Sequence, residues 1–398
     1  MSRIKNDGQN IAVIGAGVFG TVLAGILAEN NPDKIIEIWS YEKSVSIQIN
    51  SSHVNSKYFP ELILPENVVS SSLLRNVAEK ADIIFLTTPA KFSVKIMESL
   101  KDYIRSSTVF VICTKGVAVY RNSYMPVFPA AESIFGENVN VAVASGPSHV
   151  DELLHHKKTS WILASRNNDV FDAVDRILSN NFLILKKSSN PLGTELGGIL
   201  KNVAAVLFGI IDQMPDTGDN FSGIVFSECM REIYEIFTYY GAGIEELLSE
   251  SGAGDLAATC FSSQSRNRKF GEHVFSRLNN GFKNNFIFSG FFRKIIPRNF
   301  SEPELTVKFL AEGAFTIRPL IKIANSANLK IPLFRALFDV LSGEKPLDFI
   351  QIIALNPGLY FTKPAKKSVK DEVRNETGKL MTFLRDKFHF FKRKNNTE

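Results

Sequence analysis

The sequence contains few cysteines and few histidines. Its three cysteines, Cys113, Cys229 and Cys260, are odd in number and far apart, which predicts neither a disulfide framework nor a metal cluster. The six histidines form no pair at metal-ligand spacing except the adjacent His155 and His156, which we interpret as surface residues. We therefore expect no metal, and a reducing compartment such as the cytoplasm.

Long hydrophobic runs are also missing. No uninterrupted apolar run approaches the roughly 20 residues of a membrane-spanning helix, and the opening MSRIKNDGQN lacks the apolar core of a secretory signal. We therefore expect a soluble protein. The chain has 398 residues, 44% of them hydrophobic, and is long enough for two domains with full cores.

The excess of positive charge lies at one end. The formal net charge is +5, but from Lys363 onward 11 lysines and arginines face 5 acidic residues, which leaves about −1 for everything before. The main body has no basic stripe interleaved with aromatic residues, so nucleic acid is not an expected partner. In the tail, Met381, Leu384, Phe388 and Phe391 would share one face of a basic helix. Such a helix could touch an anionic membrane, or the tail could pack on the protein or stay solvated.

The hydrophobic pattern changes type once along the chain. In the first half, β-rich runs such as NIAVIGAG, IIEIW, ADIIFLTTP, TVFVICTKG, VNVAVASGP and TSWILASR alternate with helix-like segments, as in a parallel sheet covered on both faces. After SSNPLGTE the periodicity is helical through about Leu341. We therefore predict an α/β fold with three parts: a Rossmann-type dinucleotide-binding domain over 1–190, an all-helical substrate domain over 191–360 with a phenylalanine-rich insertion at about 281–300, and a basic tail over 361–398.

A glycine-rich turn follows the first predicted strand. In IAVIGAGVFGTVLA, the G-x-G-x-x-G positions are occupied by Gly15, Gly17 and Gly20. In this motif the first glycine allows a tight turn, the second lets the backbone approach a pyrophosphate, and the third lets the helix pack on the strand. The turn predicts an NAD(P) site. The choice between NAD and NADP stays open, because Glu42 and Lys43 after the second strand favour opposite cofactors.

One lysine lies in a run of apolar and very small residues. In LGGILKNVAAV, a helix would place Gly197, Gly198, Ala204 and Ala205 on the same face as Lys201. Such a lysine is either a snorkelling surface residue or the floor of a small polar site in an apolar wall. The stretch alone leaves both interpretations open.

Several motifs together resemble one enzyme family, the NAD(P)-dependent glycerol-3-phosphate dehydrogenases. The resemblance extends over roughly Asn10 to Leu341. It rests on GAGVFGTVLA, HVNSKYFPELILPENV, CTKG, SGPSHVDE, ELGGILKNVAAVLFGIIDQM, GDN, GAGDLAATCFSSQSRNRKFG and AEG. It implies an oxidoreductase that reduces dihydroxyacetone phosphate to sn-glycerol 3-phosphate for glycerophospholipid synthesis.

The resemblance also implies a set of site residues. The catalytic proton carrier would be Lys201. Substrate binding is implied for Lys115, Gly146, Ser148, Asn202, Asp255, Thr259, Ser265, Arg266 and Asn267. Cofactor binding is implied for Gly15, Gly17, Val18, Phe19, Gly20, Tyr41, Lys115, Val150, Arg266 and Glu312.

The chemistry of ketone reduction suits these residue types. Hydride addition to a carbonyl leaves an alkoxide that needs a proton, and burial of Lys201 near a second cation, Lys115, would lower its pKa toward neutrality. A phosphate dianion is held well by an arginine fork and N–H donors, as in SRNR. A ketopantoate- or 2-hydroxyacid-type reductase and a dinucleotide-sensing pseudoenzyme stay open as alternatives. A homodimer is compatible with the apolar surface expected of the helical half.

Overall fold

The computed structural model describes residues 10–136, 139–283 and 311–361, with side chains for all of these except 280–283. These residues form two compact units. One comprises the described residues of Met1–Ala118, Met125–Gly198 and Leu248–Asp255, and the other those of Val119–Tyr124, Ile199–Leu247 and Leu256–Glu398. The domain limits proposed from the sequence stay predictions. The phenylalanine-rich insertion, beyond its first three residues, and the tail after Phe361 lie outside the described residues.

A large sheet forms the centre of the first unit. The strands in chain order are β1 Ile11–Ile14, β2 Ile36–Trp39, β3 Val54–Asn55, β4 Phe59–Ile63, β5 Val68–Ser71, β6 Ile83–Leu86, β7 Val109–Ile112, β8 Val117–Tyr120, β9 Ser123–Pro126, β10 Asn140–Ser145, β11 Thr159–Ser165 and β12 Leu183–Ser188. Eight of them pair in the order β12-β11-β10-β7-β6-β1-β2-β5, while β3–β4 and β8–β9 form two-stranded sheets. Every residue of β1, β6 and β7 is buried, as expected for strands covered on both faces.

The direction of two strands differs from the predicted parallel arrangement. From β10 to β5 the neighbouring strands run parallel, but β11 is antiparallel to β10, and β12 follows the direction of β11. Parallel pairing needs a crossover that returns the chain to the same end of the sheet, usually through a long helix. The link between β10 and β11 contains only a five-residue helix, Val150–Leu154.

Helices surround this sheet and form most of the second unit. Those that precede β12 are α1 Val18–Asn30, α2 Lys43–Ser52, α3 Leu74–Ala78, α4 Ala90–Leu100, α5 Val127–Phe135, α6 Val150–Leu154 and α7 Asn168–Leu178. Those that follow are α8 Pro191–Ile211, α9 Asp219–Tyr239, α10 Ile244–Leu248, α11 Asp255–Phe261, α12 Arg266–Lys283, α13 Glu312–Ala327, α14 Pro332–Leu341 and α15 Phe349–Leu355. The predicted combination of a Rossmann-type domain and a helical domain is confirmed.

Helix α8 is long and almost entirely apolar. It begins at Pro191, whose fixed backbone suits a first helical position, and the side chain of Asn190 accepts a hydrogen bond from the N–H of Gly193. Within the described residues, α8 is the one helix long and apolar enough to span a membrane. Every residue of its apolar stretch is, however, buried inside the structure. A helix in the core of a folded protein can have the same length and hydropathy, and the burial of α8 favours that interpretation.

Two buried glutamates cap helices of their own units. Glu195 on α8 accepts hydrogen bonds from the first two backbone N–H groups of α5 at 2.6 and 2.9 Å. Glu232 on α9 accepts bonds of the same lengths from the second and third residues of α14, whose first residue, Pro332, has no N–H. Burial raises the pKa of each carboxyl group to about 8, and the N–H bonds oppose that shift. Both caps satisfy helix-end donors that water cannot reach.

We expect Glu232→Ala to lower the free energy of unfolding by about 2 to 5 kcal/mol, because it leaves two buried N–H groups without an acceptor. Denaturant unfolding followed by circular dichroism measures the loss. The control is Glu228→Ala on the same helix, which removes only a pair with exposed Arg231 and should cost less than about 1 kcal/mol. Equal losses in the two variants would contradict the capping role.

Candidate active site

The glycine turn after β1 has the geometry of a dinucleotide-binding loop. Gly15 has a φ of +125°, and a Cβ there would lie 2.8 Å from Cγ2 of Thr88. A Cβ on Gly20 would lie 1.9 Å from the carbonyl oxygen of Gly15, so the helix could not pack so closely with a larger residue. Gly17 faces open space, with no atom within 4 Å of the corresponding position. The backbone at Gly17 is therefore open to a ligand.

The start of α1 and two buried hydroxyls fit the cofactor that the sequence predicts. Gly17 occupies the N-cap position of α1 without a side-chain cap, and no acidic residue lies in the first turn, so N–H groups remain for a pyrophosphate. The hydroxyls of Thr88 and Ser145, after β6 and at the end of β10, are buried and have no hydrogen-bond partner among the described residues. Ligands of such sheets bind at the carboxyl ends of the strands, where these hydroxyls lie.

The other residues implied for the cofactor lie at helix starts or strand ends. Val18 and Phe19 open α1, and the Phe19 ring is 5.9 Å from the ring of Trp161. Val150 opens α6 and packs against the core of the first unit. Tyr41, just after β2, is 85% exposed. Arg266 and Glu312 belong to the second unit, where they open α12 and α13.

In the first unit, three residues implied for the substrate meet around the side chain of a fourth, Lys115. The Lys115 ammonium group donates to Asp255 at 2.7 Å, to the hydroxyl of Ser148 at 2.9 Å and to the carbonyl of Gly146 at 2.8 Å. The Lys115 side chain is 17% exposed and that of Asp255 is 1% exposed. Because an ammonium group has three N–H donors, this arrangement fixes its position. A buried ion pair is tolerated when such additional bonds complete it.

The position of Asp255 depends on an unusual turn. Glu250–Gly254 forms a single π-helical turn, which begins after Ser249 and leads directly into α11 at Asp255. The Ser249 hydroxyl accepts a hydrogen bond from the N–H of Gly252. Such turns are rare and occur frequently at functional sites. Here the turn places the Asp255 carboxylate within hydrogen-bond distance of the Lys115 ammonium group.

The glycines that the sequence places near Lys201 make room for this cluster. A Cβ on Gly198 would lie 2.6 Å from the Ser145 hydroxyl oxygen and 3.3 Å from Cγ of Lys115. A Cβ on Gly197 would lie 2.1 Å from the carbonyl oxygen of Ser251. The bare face at the start of α8 therefore allows the Lys115 side chain and the π-helical turn to approach the helix backbone.

In the second unit, Lys201 is buried and hydrogen-bonded. It is 8% exposed, and its ammonium group donates to the hydroxyl of Thr259 on α11 at 2.9 Å. The next residue, Asn202, accepts a bond from the side-chain amide of Asn267 at 2.9 Å. The side-chain oxygen of Asn267 in turn accepts the N–H of Gly313, the second residue of α13. The structure thus excludes the snorkelling interpretation of Lys201. It also shows two contacts within the predicted site, one between Lys201 and Thr259 and one between Asn202 and Asn267.

The segment predicted to bind phosphate forms the start of α12. The buried hydroxyl of Ser265 accepts the N–H of Arg268 at 3.3 Å, as a helix cap does. The Arg268 side chain pairs with Asp212 at 2.6 Å, while the exposed side chain of Arg266 makes no hydrogen bond or ion pair within the described residues. Of the two arginines in SRNR, Arg266 is therefore the one available to an anion. The pairing of Arg268 could not be foreseen, because Asp212 lies 56 positions away.

A mostly parallel sheet with a G-x-G-x-x-G loop, followed by a helical unit with a buried lysine, defines a two-domain dinucleotide-dependent oxidoreductase. Comparison with known proteins identifies the family. Residues 10–171 match the family described as NAD-dependent glycerol-3-phosphate dehydrogenase N-terminus, and residues 190–351 match its C-terminus. The chain belongs to the NAD-dependent glycerol-3-phosphate dehydrogenase family, and the resemblance found in the sequence is confirmed.

Individual relatives agree with this assignment over most of their length. The chain is 31% identical to glycerol-3-phosphate dehydrogenase [NAD(P)+] of Treponema denticola over 362 residues, covering 86% of this chain and 97% of the relative. It is 29% identical to the chloroplastic glycerol-3-phosphate dehydrogenase [NAD(+)] 2 of Arabidopsis thaliana, covering 84% and 75%. The solved glycerol-3-phosphate dehydrogenase of Coxiella burnetii shares the fold at a TM-score of 0.73 and 24% identity, covering 87% and 98%.

Sequence reasoning missed the buried hydroxyls of Thr88 and Ser145 in the first unit. Thr88 and Ser145 carry no motif of their own, although Ser145 directly precedes Gly146 in SGPS. A usable signal was present, because each residue comes at or just after the carboxyl end of a predicted strand, where ligands of such sheets bind.

We expect Gly198→Ala to lower stability by about 1 to 3 kcal/mol and to weaken substrate binding, because the new methyl group must displace the Ser145 hydroxyl or the Lys115 side chain. Thermal unfolding and the Michaelis constant measure the two effects. The control is Gly223→Ala on α9, where no atom lies within 4 Å and alanine should be neutral or stabilising. If Gly198→Ala behaves like this control, the close approach is not important.

Proposed function

We propose that this chain catalyses the reversible NAD(P)H-dependent reduction of dihydroxyacetone phosphate to sn-glycerol 3-phosphate. The observation that carries the proposal is the buried ammonium group of Lys201 with its hydrogen bond to Thr259. Family membership and the names of the relatives support it, since these relatives are called glycerol-3-phosphate dehydrogenases of NAD(+) or NAD(P)+. Neither a reductase of ketopantoate type nor a dinucleotide sensor is favoured.

In this proposal the first unit holds the cofactor. The backbone at Gly15, Gly17 and Gly20 and the start of α1 receive the pyrophosphate, and Tyr41 offers an exposed ring at the adenosine end. The bound nicotinamide cofactor supplies the hydride that reduces the substrate carbonyl. Thr88 and Ser145 supply buried hydroxyls that can bond polar groups of the ligands.

Lys201 donates the proton that completes the reduction. As the carbonyl carbon gains a hydride, its oxygen becomes an alkoxide, and an N–H proton of the Lys201 ammonium group passes to that oxygen. The bond to Thr259 orients the lysine side chain, so that the proton is presented in a fixed direction. In the reverse reaction the neutral amine takes the proton of the substrate hydroxyl.

The remaining polar residues bind and orient the substrate. Asp255, Ser148 and the Gly146 carbonyl hold the Lys115 ammonium group, which provides a fixed positive charge for a substrate oxygen. Asn202 presents an amide that Asn267 holds in place. The start of α12 offers N–H groups and the Arg266 guanidinium to the substrate phosphate.

The same proposal includes finer points about location and assembly. We place the enzyme in the cytoplasm, where it would supply glycerol 3-phosphate to glycerophospholipid synthesis. The three cysteines are buried and none of them is in a disulfide, which supports a reducing compartment. We also propose a homodimer. Membrane contact through the basic tail stays a prediction, because that segment lies outside the described residues.

We expect Lys201→Met to reduce kcat to well below about a tenth of the wild-type value, since a positioned general acid contributes about 10²- to 10⁴-fold. The affinity for NAD(P)H should stay within a few-fold. Lys201→Arg should also be poor, because arginine stays protonated at working pH. The control is Lys330→Met, an exposed lysine between α13 and α14 that should keep full activity. Activity of Lys201→Met above a tenth of wild type would remove the lysine from its proposed role.

We expect Arg266→Ala to raise the Michaelis constant for dihydroxyacetone phosphate by about 10- to 100-fold, as for a lost charge-assisted bond of about 1.5 to 3 kcal/mol. Unphosphorylated dihydroxyacetone should be affected much less. Arg268→Ala is the matched control, because that arginine pairs with Asp212 and its loss should affect stability more than the Michaelis constant. If both substrates suffer equally in Arg266→Ala, this arginine does not bind the phosphate.

A further inference from the structure

The hairpin of β3 and β4 has no role in the sites described so far. It comes from the motif HVNSKYFPELILPENV, which belongs to the family resemblance but supplies none of the implied site residues. The hairpin lies against α1, and Phe59 and Leu62 pack on the core of the first unit. The register of the two strands shifts between Val54 and Asn55. Such irregularities re-aim a side chain, and here that side chain belongs to Asn55.

Asn55 is completely buried and reaches the glycine turn after β1. Its amide nitrogen donates to the carbonyl of Ala16 at 2.9 Å and to the hydroxyl of Thr21 at 2.8 Å. The Thr21 hydroxyl donates in turn to the carbonyl of Gly17 at 2.8 Å. Since a carbonyl oxygen only accepts, the contact with Ala16 fixes which end of the amide is the nitrogen. One buried side chain thus holds two successive carbonyl groups of the turn, the second through a hydroxyl.

The direction of these carbonyl groups sets the direction of the N–H groups that follow them. In a planar trans peptide unit, the C=O of one residue and the N–H of the next point to opposite sides. The peptide bonds of the turn are trans. Because the Ala16 carbonyl points to Asn55, the N–H of Gly17 points away from it, and the N–H of Val18 likewise points away from Thr21. These N–H groups belong to the start of α1, which suits a pyrophosphate.

The Asn55 amide is better suited to fixing the turn than to stabilising the fold. Its oxygen, Oδ1, is buried and has no hydrogen-bond partner among the described residues. A buried acceptor without a partner offsets part of what the two donated bonds contribute to folding. The two donated bonds, in contrast, act in full on the direction of the turn.

We propose that Asn55 is a positioning residue for the dinucleotide. It holds the carbonyl groups of Ala16 and Gly17 inward, so that the N–H groups after them face the pyrophosphate. It acts through the glycine turn and does not touch the reacting atoms. The inference rests on the proposed function only in that the first unit binds a nicotinamide dinucleotide.

Fluorescence titration of the full-length chain with NADH tests this role without turnover. Asn55→Ala should raise the Kd for NADH by about 10- to 30-fold, since two hydrogen bonds that orient the turn are lost. The matched control is Asn67→Ala, which acts at the other end of α1. There the amide donates to the carbonyls of Ala28, Asn31 and Lys34 at 3.2, 3.1 and 2.9 Å. This control should lower the melting temperature at least as much, but change the Kd by less than about twofold.

Variants of Thr21 test the relay while Asn55 stays in place. Thr21→Val keeps the shape of the side chain but removes the hydroxyl, and should raise the Kd for NADH several-fold. Thr21→Ser keeps the hydroxyl and should bind NADH like the wild type. In the double variant of Asn55→Ala and Thr21→Val the two losses should not add, because both act through the same hydrogen bonds.

Two results would overturn the inference and leave the proposed function intact. One is an equal loss of NADH affinity in Asn55→Ala and Asn67→Ala. The other is equal NADH affinity of Thr21→Val and Thr21→Ser, and this comparison decides the matter if Asn55→Ala does not fold. If the wild-type chain does not bind NADH, the proposed function fails and the inference fails with it.

Discussion

Close approach of backbone to helix α8 is the constraint on which both clusters of site residues depend. In the first unit, Gly197 lets the Ser251 carbonyl come within the space that a Cβ would need. In the second unit, Gly313 lies against the carbonyl of Asn202, and Gly209 lies against that of Arg268, with the missing Cβ positions only 2.1 and 1.9 Å from the two oxygens. At these glycine positions no side chain separates α8 from its neighbours, so backbone and long polar side chains can approach closely. The glycines thus prepare the surroundings of Lys115 and Lys201.

The two lysines sit in these surroundings in different ways. All three N–H groups of Lys115 are used within its cluster, and one partner, Asp255, is a buried carboxylate, so the ammonium group is held in one position. This arrangement suits a residue that binds. Lys201 is oriented by the hydroxyl of Thr259 on the neighbouring helix α11, and it is still more buried than Lys115. A buried and oriented amine suits a residue that moves a proton, because water does not compete for its partner.

Short-range sequence patterns were sufficient to predict the elements that depend mainly on residues close together in the chain. The runs of β1, β6 and β7, the glycine turn and the long helix α8 follow from apolar continuity, glycine spacing and a proline start. The reversed direction of β11 could not be predicted from the sequence, because a buried apolar strand has the same composition in either direction. Long-range pairings were equally invisible without the family resemblance, since Lys115 and Asp255 are 140 positions apart. The caps made by Glu195 and Glu232 were missed because a glutamate within a helix usually lies on the surface.

The central claim is that this chain reduces a phosphorylated three-carbon ketone with a nicotinamide cofactor. The most direct test follows the oxidation of NADH and NADPH by the purified full-length chain, with dihydroxyacetone phosphate and with ketopantoate in separate reactions. We predict rapid oxidation with dihydroxyacetone phosphate, formation of sn-glycerol 3-phosphate, and no turnover of ketopantoate. Turnover of ketopantoate alone, or tight cofactor binding without turnover of either ketone, would contradict the account.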